Sequence, residues 1–69
     1  MEIILSKRLK ELRIELGLSQ VELAQRLNLN PVTYLRYEKG QREPSLSLLA
    51  DFSKFFGVST DFLLGLTDY

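Results

Sequence analysis

Between Ser19 and Arg42 the chain sets out Ser19, Gln20, Thr33, Arg36, Lys39, Gln41 and Arg42, a series of hydroxyl, amide and cationic donors. Such groups hold phosphates and the acceptor edges of bases, but they break no bonds unaided. Catalysis would need more than this sequence offers. None of its 69 residues is cysteine or histidine, which removes the Ser-His-Asp and Cys-His centres and the usual zinc and soft-metal sites. No glycine-rich phosphate loop and no nucleophile with a nearby base can be assembled. The expectation is a binding protein and not an enzyme, with no cofactor, no metal and no evident small-molecule ligand.

Length restricts the chain to one small domain, taken as residues 1–69. Disulfides are impossible, so stability must come from helix packing and a partner subunit. The start, Met1 to Arg8, places apolar residues before charge, the reverse of a secretion signal, and nothing approaches a membrane span. A cytoplasmic protein without membrane contact is expected. The formal net charge is zero, which gives no whole-chain attraction to nucleic acid. That neutrality hides a polarity: residues 1–42 carry eight basic and five acidic side chains, whereas residues 43–69 carry one basic and four acidic.

The elements that must position the donors are marked by their ends. Gly17, Gly40, Gly57 and Gly65 each follow an apolar-periodic stretch, where a helix needs a residue that turns left-handed. Ser19, Asn30, Ser45 and Ser59 stand at the matching starts as N-caps. Ser19 with Glu22 forms a capping box, and Pro31 follows Asn30 at a first helical position. Fifteen leucines and no alternating run disfavour strands. The chain therefore reads as all-α, with five helices near 3–16, 20–27, 31–39, 46–56 and 60–64. In the first, Leu5, Leu9, Leu12 and Leu16 are expected as one buried stripe, with Lys7, Lys10 and Ile14 facing away. In the fourth, Leu46, Leu49, Phe52, Ser53 and Phe56 share a face, and Leu48 and Phe55 lie toward a second.

Residues 19–39 carry the most specific pattern. A capped short helix containing Leu23, Ala24 and Leu27 is followed by the turn Asn28-Leu29-Asn30 and a second short helix. Ala24 permits a close, steep crossing and Leu29 can seal the angle. This is a helix-turn-helix, whose second helix enters the DNA major groove. With Tyr34 and Tyr37 turned to the core and their hydroxyls at its rim, where Tyr34 could touch a phosphate, Val32, Leu35, Arg36 and Lys39 face outward. Pro31 and Thr33 then lie at the flanks. Base reading is assigned to Pro31, Val32, Leu35 and Arg36, the arginine suited to guanine or to a phosphate and the apolar residues to thymine methyls. Phosphate contacts are assigned to Ser19, Gln20 and Thr33 at helix starts, and to Lys39, Gln41 and Arg42 after the second helix.

The chain resembles the lambda-repressor-like helix-turn-helix regulators of the Cro/C1, or xenobiotic-response-element, type. The resemblance rests on Arg8-Leu9-Lys10-Glu11-Leu12-Arg13, Gly17-Leu18-Ser19-Gln20, Leu23-Ala24, Tyr37-Glu38-Lys39-Gly40, Arg42-Glu43-Pro44-Ser45-Leu46 and the run from Gly57 to Gly65. It spans about residues 6–66. It implies a five-helix lambda-repressor-like domain binding a palindromic double-stranded DNA operator as a dimer, and a role in transcription, with repression preferred. It also implies a phosphate contact by Gln20 and an ion pair between Arg13 and Glu38. The family often has Gly and Ser where this chain has Asn28 and Asn30; asparagine suits both the left-handed turn and the cap. Positions that often carry polar base-reading residues are here Pro31, Val32 and Leu35.

Leu48, Phe55, Phe62, Leu66 and Tyr69 exceed what so small a core hides, and they are assigned to a homodimer interface. The rival reading keeps the fold but makes the chain a protein-interaction module, such as an antitoxin or antirepressor partner, with weak or absent DNA binding. The apolar outward face at Pro31, Val32 and Leu35 is what favours it.

Overall fold

A computed structural model describes residues 4–68, and within them every secondary-structure element is an α-helix: α1 (Leu5–Glu15), α2 (Gln20–Arg26), α3 (Pro31–Glu38), α4 (Leu46–Phe56) and α5 (Thr60–Leu64). Four of the five starts are capped by the residues that the sequence marks. The Ser19 hydroxyl accepts from the Glu22 amide at 3.0 Å, while the Glu22 carboxylate accepts from the Ser19 amide at 3.1 Å, so the box is closed in both directions. Asn30, Ser45 and Ser59 each accept one first-turn amide, at 2.8, 3.1 and 3.0 Å. These bonds satisfy donors that the helices leave open, and each stabilises its helix by about 1 kcal/mol.

The connection between α2 and α3 turns on Asn28, which is left-handed at φ 60°. The reversal lets the Leu29 amide bond back to the Ala24 carbonyl at 2.8 Å, closing the end of α2. Leu29 then packs half-buried against the core. Gly65 has a second reason to be glycine besides its φ of 80°. A Cβ there would stand 2.6 Å from Cγ1 of Ile4, the residue just before α1.

Every helix sends side chains into one core: Leu5 and Leu9, Leu23 and Ala24, Tyr34 and Tyr37, Leu49 and Phe52, and Leu63. The Phe52 ring, fully buried, meets the edges of both tyrosines at centroid separations of 6.3 and 6.2 Å. It thereby ties α3 to α4 through aromatic geometry as well as area. α3 packs against both α1 and α2, and α5 against α1 and α4. α3 is thus supported from behind along its length.

Two leucines depart from the expected faces. Leu16 is 54% exposed, because α1 ends at Glu15 and the chain has begun its turn before the stripe is complete. Leu46 is 86% exposed. It is the first residue of α4, and side chains in a helix tilt toward its N-terminus, so Leu46 overhangs the start of α4 beyond the reach of the core.

Candidate nucleic-acid interface

α3 presents two different faces. Tyr34, Tyr37 and Glu38 are buried, whereas Pro31, Val32, Arg36 and Lys39 are exposed and Thr33 and Leu35 are half-buried. Val32, at 60% exposure, is among the most open large apolar residues described. α3 ends at Lys39 and Gly40, the latter at φ 72°, and the Gln41 amide returns to the Arg36 carbonyl at 2.9 Å. That closure brings the chain out at Gln41 and Arg42, both exposed. Among the described residues Arg26, Arg36, Lys39 and Arg42 enter no ion pair, and the only pairs are Lys7 with Glu11 and Arg13 with Glu38. Glu22, four residues before Arg26, is engaged in the Ser19 box. That engagement, through the Ser19 backbone amide first, lowers its pKa below the ordinary 4.5. Arg36, Lys39 and Arg42 are thus exposed on and just after α3 without an ion-pair partner among the described residues.

Beneath that face lies a buried polar cluster. Arg13 donates through Nε and Nη2 to the two carboxylate oxygens of Glu38 at 3.0 and 2.8 Å, a bidentate pair, and through Nη1 to the Leu18 carbonyl at 2.8 Å. Gln20 donates its Nε2 to the same Glu38 oxygen that takes Nη2, at 3.3 Å. The side chains of Arg13 and Glu38 are 12% and 3% exposed. Burial pushes the Glu38 carboxyl up, but its donors, Arg13 first, outweigh burial and hold it below the ordinary carboxylate value. Tyr34 lies against this pair with its hydroxyl buried and without a hydrogen-bond partner. Burial first, and the adjacent carboxylate second, hold that hydroxyl far above its ordinary pKa. The tyrosine is 0% exposed, so the expectation that its hydroxyl reaches the rim and touches a phosphate does not hold; packing against Phe52 draws the whole ring inward.

The structure brings Arg13 and Glu38 together; Ser19 caps α2, Gln20 opens it, Thr33 and Arg36 lie on α3, and Lys39, Gln41 and Arg42 follow that helix. What sequence reasoning missed is the inward bond of Gln20. Eighteen residues separate it from Glu38, so no helical period could signal the contact.

The apolar surplus is distributed differently from expectation. Leu48, Phe55 and Phe62 are half-buried, and Leu48 and Phe55 pack against the core. Phe62 lies under the Arg8 guanidinium, 3.9 Å from its ring centroid. Leu66 is open, at 58%; Tyr69 lies outside the described residues. A further apolar cleft of about 170 Å³ lies between α1, α4 and α5, lined by Leu5, Pro44, Leu46, Leu49 and Leu64 with Glu43 beside them.

With this geometry in hand, the comparisons agree on one class. The family described as Helix-turn-helix matches residues 9–63, and the chain belongs to that family, a family of Cro/C1-type transcription regulators rather than enzymes. The chain is 43% identical over 61 residues to the HTH-type transcriptional regulator ImmR of Bacillus subtilis, covering 88% of this chain and 48% of that protein. It is 40% identical over 53 residues to the cryptic phage CTXphi transcriptional repressor RstR of Vibrio cholerae, covering 77% and 48%. Among solved structures it superposes on a transcriptional regulator from Listeria innocua with a TM-score of 0.87 at 28% identity, covering 94% of this chain and 61% of that one. The chain thus spans about half the length of these two curated relatives. No helix described is long and apolar enough to cross a membrane.

Proposed function

We propose that the chain acts as one domain, residues 1–69, that reads DNA for a sequence-specific transcription regulator, working in the cytoplasm as a homodimer on a palindromic operator. Repression is the preferred sense, in keeping with the name of the Vibrio relative. The observation that carries the reading is the division of α3: Tyr34 and Tyr37 lock one face into the core while Pro31, Val32 and Arg36 stand open on the other. Arg36 reads a guanine or grips a phosphate, and Pro31, Val32 and Leu35 offer apolar contact to thymine methyls. Ser19, Gln20, Thr33, Lys39, Gln41 and Arg42 hold phosphates on either side of the groove. The dimer interface draws on Leu48, Phe55, Phe62, Leu66 and Tyr69, with Leu66 the most open of those described.

Selection of bound duplexes from a random DNA pool tests the proposal. Enrichment of a palindrome with half-sites about one helical turn, ~34 Å, apart is the expected result. Failure to enrich any sequence favours the second reading, a protein-interaction module of the antitoxin or antirepressor kind. The exposed apolar Val32 at the centre of the candidate reading face is what supports that alternative.

A further inference from the structure

From the bond between Gln20 and Glu38 we infer that Glu38 is a positioning residue for DNA binding: its carboxylate fixes the Gln20 amide so that one N–H is held inward and the other is presented to a phosphate. The inference rests on the reading of Gln20 as a phosphate contact. Its physical content lies in which atoms can meet. Glu38 takes both Arg13 donors, so it is ionised and can only accept. An amide approaching its Oε1 must therefore offer Nε2–H, and the flipped amide, with its carbonyl inward, would set oxygen against oxygen. The Gln20 amide is planar and carries two N–H donors on one nitrogen. Holding one of them at 3.3 Å fixes the plane and leaves the second as a donor on the outer side. A free glutamine would distribute its amide over several rotamers, and phosphate binding would have to select one of them at an entropic cost. Arg13 contributes twice, through Glu38 and through its bond to the Leu18 carbonyl, two residues before Gln20. The buried pair thus reaches from α1 and α3 to the first residue of α2.

The test combines an observation on the free protein with a binding cycle. In a ¹H–¹⁵N spectrum of the whole chain, the Gln20 side-chain NH₂ pair is expected to be displaced from those of the exposed Gln25 and Gln41. In the Arg13→Met/Glu38→Met variant, which replaces the pair by apolar side chains of similar length, the Gln20 pair should move to their positions. With a duplex enriched in the selection above, Gln20→Ala should weaken binding roughly tenfold, as for loss of one hydrogen bond to a charged group. The double variant should lose a similar factor, and the triple variant should lose no more than the double. Thermal unfolding of each variant confirms that it is folded, and Glu38→Leu, which leaves no acceptor at that position, serves in place of the double variant if that one is not. An unchanged Gln20 resonance, or a Gln20→Ala loss undiminished in the absence of the pair, overturns the positioning role while leaving the phosphate contact standing. No loss on Gln20→Ala alone overturns both.

Discussion

Glu38 stays charged inside the protein because donors from two other parts of the chain converge on it. Removing it leaves the Arg13 guanidinium, 12% exposed, without its carboxylate, and breaking a buried pair in this way costs about 3 kcal/mol or more. Glu22, by contrast, is exposed and serves one cap. Glu38→Ala is therefore expected to lower the melting temperature well beyond the loss in Glu22→Ala; equal, small losses would refute a structural role for the pair. The pH dependence follows from the same contact. The folded-state pKa of Glu38 lies below its ordinary value of 4.5, so its contribution is complete above that pH and is lost as the pH falls through the folded value. Acid titration of stability should show a fall below pH 4.5 that is smaller in Glu38→Gln. Asn28 gives a second residue-scale prediction. At φ 60° a side chain without local hydrogen-bonding capacity is strained, so Asn28→Ala should cost about 1 kcal/mol in urea unfolding, while Asn28→Gly should match or exceed the parent.

Among the elements, the proposed function assigns selectivity to α3 and grip to the start of α2. Arg36 is exposed on the open face of α3 and has no acidic partner among the described residues, so its guanidinium is free to meet a base edge. Arg36→Ala is expected to reduce the affinity difference between a selected operator and one with a changed half-site, by about 1 to 3 kcal/mol. Gln20→Ala should weaken both duplexes by the same factor, since phosphates carry no sequence. Competition binding with the two duplexes separates these outcomes; the reverse pattern would exchange the two roles.

For the whole molecule, the separation of charge matters more than its sum. The half containing α2 and α3 holds the excess of cations, and the acidic half is expected at the dimer contact. If each subunit neutralises three or four phosphates, log K should fall with log salt at a slope of roughly −5 to −7 for the dimer. A slope half as steep, together with a monomer in sedimentation at high concentration, would refute dimeric binding. Leu66→Glu or Phe55→Glu should lower operator affinity by weakening association, with Leu66→Glu the cleaner variant because its side chain is 58% exposed while Phe55 also packs on the core.

The helix boundaries were legible in the sequence to within about two residues, including a left-handed Asn28 and the caps at Ser19, Asn30, Ser45 and Ser59. Each of these is a bond or a dihedral between residues a few positions apart, and local chemistry determines it. The pairing of Tyr34 and Tyr37 toward the core follows likewise from helical period. Leu16 and Leu46 were not legible, because periodicity gives a direction around a helix but not whether a neighbour extends far enough to cover it. The depth of the Tyr34 hydroxyl and the inward bond of the Gln20 amide were not legible for a related reason: one depends on Phe52 of α4 and the other on Glu38 of α3, each a neighbour on another helix. By itself, then, the sequence determined the helices, their order and the outward face of α3. The ion pair of Arg13 and Glu38 was already implied by the family resemblance, and only the packing of α1, α2 and α3 decided that Gln20 joins it, because a contact between residues 18 positions apart depends on where the helices cross.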